Sequence, residues 1–532
     1  LYYISHTDQN LDDLPVHIVG FIDPDHPDRN TLDIRSSGGT SRLSPHGTVQ
    51  EYLNVTDHLY GIASNGWNIR LMRDSGRLVK LTFLEFDLKR MLDEDKYSEF
   101  TLLFKLMHAS RFPKSKEVTS ESLLESYYKE SIETGNRIRD GLSLAVQESI
   151  VGLGNGFLQS PSNHHLREKI LSGELSTTDF YRQLRRLVYR LLFLMVMEER
   201  DLVYPSGALS PETSRKKITY LNFYSIAKLR KLSQKRYLFD EGFTDLWQGL
   251  LNTFRLFENE AGGKSLGIYP LSGELFSYDA IRDLLPCMIS NSLLLSCVRN
   301  LNEFNDADGN LVQVNYRALD VEELGSVYEG LLELHPVIEN ISTENPSAIK
   351  FLFHEGKERK TTGSYYTSPD LVNELIKSAL IPVIEERLAG IRKSPAPSKE
   401  NLEKAILSLK VCDPAAGSGH FLLAASRTIA WYLARTRSGE ENPPPSEYRN
   451  ALREAIQHCI YGVDLNPDAV ELCKLALWLE SHNSGKPLGF LDHKIRCGNS
   501  LVGVQHLNVL TEPIPDEAFN PTMGDDPKVG KE

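Results

Sequence analysis

Leu409-Lys410-Val411-Cys412-Asp413-Pro414-Ala415-Ala416-Gly417-Ser418-Gly419-His420-Phe421-Leu422 decides the reading of this chain. An apolar strand runs into an acid, then a turn of small residues, then a helix. That helix carries Phe421, Leu422, Ala425, Ile429 and Leu433 on its buried side. Gly417 and Gly419 let the backbone turn tightly and approach a ligand with no Cβ in the way. The helix N-terminus offers free N–H groups to an anionic or polar group. A plain strand–helix connection is the bland alternative for such a turn. It lacks the Gly-Lys-Ser/Thr ending of a phosphate-binding loop, which argues against ATP.

Three further segments frame this turn. Downstream, Ile460-Tyr461-Gly462-Val463-Asp464-Leu465-Asn466-Pro467 is again a strand ending in an acid. A carboxylate there can accept both hydroxyls of a ribose, although the usual distance from the glycines is shorter, at ~20 residues. A Pro-rich loop at 438–446, read as solvent-exposed, and a helix around Tyr448 to Gln457 account for the extra length. After Pro467 a helix continues through Ala469, Leu472, Leu475, Ala476 and Leu479. Next, Ile495 to Gly503 places Asn499 at a strand end, where its amide can reach an adenine edge; a turn asparagine is the alternative. Upstream, Lys360-Thr361-Thr362-Gly363-Ser364-Tyr365-Tyr366-Thr367-Ser368-Pro369-Asp370 leads into a helix, with Pro369 suited to its first turn.

The order of these segments resembles the gamma-class adenine-specific (N6) DNA methyltransferases. The resemblance implies S-adenosylmethionine as cofactor. Thr362, Gly363, Tyr365, Tyr366 and Thr367 resemble the family's first segment, over the methionine part of the cofactor, with Ser368 where a proline usually stands. Asp413, Pro414, Ala415, Gly417, Ser418, Gly419 and Phe421 resemble its Asp-Pro-Ala-x-Gly-Ser-Gly-x-Phe loop. Asp464, with Leu465 after it, resembles the ribose-binding acid. Asn499 stands where many members have Asp. The resemblance covers roughly residues 350–505. It implies an α/β Rossmann-like methyltransferase domain over 346–532, acting on an adenine flipped out of double-stranded DNA.

The family's catalytic segment, Asn/Asp/Ser-Pro-Pro-aromatic, is not found where it is needed. Asn442-Pro443-Pro444-Pro445 precedes Asp464 and has proline in place of the ring; Asn520-Pro521-Thr522 has one proline. The chain opens on Leu1 and ends in a polar stretch, so it reads as truncated at both ends. The catalytic motif is expected beyond Glu532, and no catalytic residue is assigned. Two alternatives stay open: a non-catalytic cofactor-binding scaffold subunit, and a methyltransferase acting on RNA or protein glutamine.

The remaining chain is more than a bare methyltransferase needs. Its 532 residues suit three or four domains. Residues 101–345 read as a mostly helical connector, with Leu102, Leu103, Leu106 and Met107 on one face. Leu187, Leu191, Leu192, Leu194 and Met195 form another stripe. Residues 1–100 read as a small α/β segment with an antiparallel sheet. Its runs are Tyr60 to Ala63, Trp67 to Met72 and Leu78 to Phe83, the first two joined at Asn65-Gly66. The combination resembles type IIG restriction–modification enzymes, which fuse an endonuclease to a methyltransferase. Tyr60 to Leu71 is similar to the strand pair after the core of PD-(D/E)xK nucleases, whose metal-binding acids would precede Leu1. Asp87-Leu88-Lys89 fits [D/E]-x-K but reads as a helix start, and Glu85 and Asp87 both suit a first helical turn.

The formal charge of −13 argues against a uniformly basic coat, not against a local DNA-binding patch. Residues 214–239 hold eight cations and no acid, with Tyr220, Phe223, Tyr224 and Tyr237 between them. They form the best DNA-backbone candidate, an exposed basic helix face being the alternative. Lys357, Arg359 and Lys360 are a second candidate contact. The longest apolar run, Leu191 to Met197, is too short for a bilayer, and no signal peptide is expected. Six scattered cysteines form no C-x-x-C pair, so no metal site is assigned and a reducing cytoplasm is expected. Candidate partners beyond DNA are restriction–modification or defence-system subunits.

Overall fold

The computed structural model describes residues 2–3, 14–20, 32–34, 43–56, 58–74, 83–112, 122–205, 210–235, 242–271, 274–305, 309, 311–317, 319, 321–332, 334–354, 369–393, 398–482, 491–502, 508, 511 and 513. Near the N-terminus lies a five-stranded sheet in the order β1 (Tyr2–Tyr3), β2 (Pro15–Ile18), β3 (Tyr60–Ser64), β4 (Asn68–Arg73), β5 (Phe83–Asp87). The Asn65-Gly66 turn joins β3 to β4 as its sequence predicts. Asn65 Oδ1 accepts from the backbone N–H groups of Trp67 and Asn68, at 3.1 and 2.7 Å.

Two expectations for this sheet need correction. It is mixed, not antiparallel, because β2 runs parallel to β3. The third run is described only at Phe83, which opens β5; residues 78–82 lie outside the described residues. Glu85 is therefore a strand residue opposite Arg70, not part of a helix. Asp87 does cap the short helix Leu88–Asp93, accepting from Arg90 N at 2.9 Å. Buried Arg70 gathers Glu85, Asp33 and His46. Burial and the adjacent guanidinium push His46 down to about 3, so it stays neutral.

Helices dominate the middle of the chain. The long helix Leu123–Gln159 packs on the central helix Thr177–Glu199, whose cap Ser176 accepts from Asp179 N. The central helix is buried almost all round from Phe180 to Met197, as an apolar helix inside a large core must be. The expected stripe on it is buried in full. On the helix Tyr97–Leu106 only Leu103 is buried and Leu102 is exposed. Two strand pairs interrupt the helices: β6 (Glu303–Asn305) with β7 (Leu311–Gln313), and β8 (His335–Glu339) with β9 (Lys350–His354).

The expected boundary at 346 falls inside the β8–β9 connection. It is also no break in the core. Asn155 clamps Phe351 by its backbone, accepting from Phe351 N at 2.7 Å and donating to Phe351 O at 3.0 Å. The Phe351 ring packs edge-on against Phe180. One apolar cluster runs from Leu142 to Ile495. No helix among the described residues is long and apolar enough to cross a membrane.

The C-terminal part holds three parallel strands, β10 (Val411–Asp413), β11 (Ile460–Asp464) and β12 (Ile495–Cys497), with β11 in the middle. The helix His420–Ser438 follows β10, Pro445–Cys459 leads into β11, and Pro467–Glu480 follows it. This last helix is tied to the central helix by polar side chains. Arg185 pairs with Asp468, both buried, and Arg186 reaches Glu471 at 3.1 Å. Trp478 packs on Phe193 with ring centres 5.2 Å apart.

Burial outweighs the attraction of Arg186 and raises Glu471 to about 8. A carboxyl raised on folding stabilises most below its unfolded value. That contribution is lost as pH rises through the folded value. Stability should therefore drop between about 4.5 and about 8. Glu471→Gln should flatten that drop by roughly 1–3 kcal/mol in urea melts taken across this window. Parallel profiles for the two proteins would refute it.

Candidate functional site

The site lies at the carboxyl ends of β10, β11 and β12. β10 ends at Asp413 and the chain turns through Pro414 to Gly419 before the helix begins at His420. Ala416 N donates to Val463 O at 2.9 Å, which ties the turn to the neighbouring strand. Gly417 adopts φ +51° and Gly419 φ +94°, the left-handed region that favours glycine. At Gly419 space is also short, for a Cβ would lie 2.8 Å from Cys473 Sγ. The glycines read as ligand-facing thus also meet a backbone demand.

Asp464 closes the turn from β11. Its Oδ2 accepts from Gly417 N and its Oδ1 from Asn466 N, both at 2.8 Å. A carboxylate offers about four lone-pair sites, so two remain for a ligand's hydroxyls. Asp413 is satisfied on one side only. Its Oδ1 accepts from Ala415 N at 3.0 Å, while Oδ2 is buried with no hydrogen-bond partner among the described residues. Burial raises this carboxyl, against the pull of the Ala415 N–H, and the charge of Asp464 adds to the rise. Such a group asks for a donor or a cation.

The other predicted residues take distinct places. Ser418 is buried and its hydroxyl meets His420 Nδ1 at 3.0 Å. Pro414 and Ala415 are exposed, and Phe421 is half-buried, while Leu422, Ala425, Ile429 and Leu433 face the core as predicted. Leu465 is 70% exposed, a large apolar side chain left in water beside Asp464. Asn499 is exposed, and its Oδ1 accepts from Leu501 N and Val502 N at 2.9 and 3.1 Å. It is thus a turn asparagine, and among the described residues its amide N–H groups have no acceptor. Thr362, Gly363, Tyr365, Tyr366 and Thr367 lie outside the described residues, as do Lys357, Arg359 and Lys360.

Sequence reasoning missed the supports behind the turn. Ser418 rests against Gly325, where an added Cβ would lie 3.3 Å from its own. Arg427, on the helix after the turn, binds Glu480 at 2.7 Å and Glu322 at 2.5 Å. Cys473 carries no sequence signal at all. Exposed Leu501 and Val502 flank Asn499, and only their exposure draws notice.

Two other readings are corrected. The loop at 438–446 is not simply solvent-exposed. Glu440 is buried and accepts from Ser44 N and Oγ at 3.1 and 3.0 Å, and Ser446 N donates to Asp33 at 3.3 Å. The loop is where Ser44, the cap of the helix Pro45–Val55, and Asp33 meet the C-terminal part. In the basic stretch, Arg230 is turned inward to Glu199, Asn302 and the Tyr316 ring. Lys216 and Lys217 pair with Glu212 and Asp201, each at 2.7 Å. Tyr220 is buried with its hydroxyl on Glu198. Arg215, Lys231 and Lys235 remain exposed, so the patch is weaker than its composition suggests.

A glycine turn between a parallel strand and its helix, closed by an acid from the next strand, marks an α/β domain that binds its ligand at the strand ends. Residues 351–510 match the N-6 DNA methylase family model, which bears out the resemblance drawn from the motifs. The chain is 28% identical over 223 residues to a putative type II restriction enzyme and methyltransferase of Methanocaldococcus jannaschii, covering 35% of this chain and 17% of that protein. It is 34% identical over 94 residues to the adenine-specific methyltransferase PglX of Streptomyces coelicolor, covering 18% and 7%. It is 25% identical over 246 residues to a type II restriction enzyme and methyltransferase of Escherichia coli, covering 43% and 22%. The matches thus span less than a quarter of each relative. Among solved structures, the type IIL restriction-modification enzyme MmeI in complex with DNA aligns at 15% identity and a TM-score of 0.36. That alignment covers 66% of this chain and 40% of that one.

Proposed function

We propose that this chain holds the cofactor-binding part of an adenine-N6 DNA methyltransferase from a restriction–modification or phage-defence system. The cofactor is S-adenosylmethionine and the substrate an adenine flipped from duplex DNA. One observation carries the reading: Asp464 closes the glycine turn beside a half-buried Asp413, whose buried Oδ2 has no hydrogen-bond partner among the described residues. Asp464 keeps lone pairs for the ribose hydroxyls. Asp413 Oδ2 receives the ammonium of the methionine part, which neutralises a carboxylate that burial disfavours. Leu465 covers one face of the adenine ring, and Asn499 donates its amide N–H to a ring nitrogen. Tyr365 and Tyr366 are assigned to the methionine side. When bound, the cofactor supplies the electrophilic methyl group; no residue of the chain is assigned as catalytic.

Asp413→Asn tests this reading. Without ligand the raised carboxyl burdens the fold at neutral pH, because its stabilising contribution is present only below the unfolded value. The variant should therefore melt at or slightly above the wild-type temperature. Its affinity for S-adenosylmethionine, measured by calorimetry, should fall about tenfold or more through loss of a charge-assisted contact. Wild-type affinity in the variant would sink the assignment. Methyl transfer by the full-length protein to RNA or protein, and none to duplex DNA, would redirect the substrate.

A further inference from the structure

A second cavity, of about 450 Å³, opens in the helical layer. That size falls in the ordinary range for small-molecule sites, ~300–1,000 Å³. Lys169, Arg190, Arg255 and Arg282 line it, against two carboxylates, Glu258 and Asp283. Asp283 is already engaged by Lys169 Nζ at 2.7 Å and Gln183 Nε2 at 2.8 Å. The cavity therefore carries a surplus of positive charge.

Arg190, on the central helix, is only 2% exposed. It donates to Leu275 O and Ser277 O, each at 2.7 Å, and its guanidinium lies 5.1 Å from the Phe254 ring centre and 5.5 Å from that of Phe276. Two neutral carbonyls and two rings hold the fork in place without neutralising it. Among the described residues no carboxylate comes within ion-pair distance of it. Burial draws the guanidinium down to about 9, so it is still charged at neutral pH. Glu258, on the same cavity, attracts Arg190 from beyond ion-pair distance. A buried charge with no counter-ion in direct contact is disfavoured, and one that lines an open cavity invites an anion.

At the rim, Arg255 and Arg282 are exposed, and Arg282 makes no hydrogen bond or ion pair among the described residues. Phe254, Leu251 and Leu285 give the cavity an apolar wall. The nearby Cys287 thiol meets His165 Nε2 at 3.6 Å. It is pushed up to about 12 by burial, which removes it as a nucleophile.

We infer that this cavity binds a mononucleotide-sized phosphate ester, its terminal phosphate on Arg190 and gripped at the rim by Arg255 and Arg282. Guanidinium forks match phosphate oxygens two at a time, and the apolar wall suits a base or sugar. The depth of Arg190 favours a free terminal phosphate over a duplex backbone. The inference stands apart from the methyltransferase reading, since the cavity shares no residue with the Asp464 turn.

The test is melting and calorimetry of the whole chain with inorganic phosphate and with AMP, against chloride at equal ionic strength. Both ligands should raise the melting temperature, AMP binding more tightly than phosphate. In the double variant Arg255→Ala/Arg282→Ala, affinity should fall about tenfold or more with the ligand-free melting temperature unchanged. Arg190→Met should abolish the phosphate response; should it fail to fold, the rim variant decides. In Asp464→Ala both responses should persist, which separates this cavity from the adenosine end of the other site. Absence of any phosphate or AMP response, an unchanged affinity in the rim variant, or binding of duplex DNA alone would overturn the inference.

Discussion

Asp464→Ala is expected to weaken S-adenosylmethionine binding by about 100-fold or more. Two charge-assisted hydrogen bonds to ribose hydroxyls contribute roughly 1.5–3 kcal/mol each, and each 1.4 kcal/mol is tenfold in affinity. The same change also frees Gly417 N and Asn466 N, so the turn loses its closure from β11. A cofactor analogue lacking the ribose hydroxyls separates the two effects. Wild type should bind that analogue poorly. In Asp464→Ala, removing the hydroxyls should cost almost nothing further, because their acceptor is already gone. Calorimetry on the four combinations gives the coupling directly. If hydroxyl loss costs the variant as much as it costs wild type, Asp464 is a structural closure and not the ribose acceptor.

Asp468→Ala should have the largest effect on stability. Its carboxylate is the buried counter-ion of Arg185, and Arg182 approaches it at 3.7 Å. Removing it strands the Arg185 guanidinium over the Tyr181 ring, 4.7 Å from its centre. Breaking one side of a buried pair costs about 3–5 kcal/mol, whereas replacing both sides with apolar groups is often neutral. Urea melts should show the single variant losing that much and Arg185→Met/Asp468→Leu recovering most of it. A single variant within about 1 kcal/mol of wild type would remove the pair as the brace between the layers. The helix that holds Asp468 in its first turn starts three residues beyond Asp464, at Pro467, and carries Cys473 against Gly419. Cofactor affinity should therefore fall along with stability.

This coupling explains why the helical region is more than a linker. Residues from 142 to 351 share one apolar core with the strands that form the site. The central helix backs the helix after β11, and the helix Val321–Leu332 backs the glycine turn through Gly325. The N-terminal segment touches the same unit from another side, through the Glu440 carboxylate on Ser44, the cap of the helix Pro45–Val55. There the acids of the sheet serve structure: Asp33 and Glu85 hold Arg70, and Asp87 caps a helix.

What the sequence alone determined is the local chemistry of the site. A strand that ends in Asp413, glycines at 417 and 419, and a helix opening at His420 follow from neighbours a few residues apart. Steric limits on φ, alternation along a strand and helix capping all act over that range. The same holds for the Asn65-Gly66 turn and the Asp87 cap. Tertiary structure alone decided which distant groups meet and which lose water. It put Gly417 N on Asp464 and left Asp413 Oδ2 buried without a partner among the described residues. It turned Arg230 inward, and it buried Glu440, in a loop whose composition reads as exposed. It also set Arg190 at a cavity with no carboxylate within ion-pair distance among the described residues. Desolvation and ion pairing depend on what covers a group, and the covering segment here comes from up to 396 residues away.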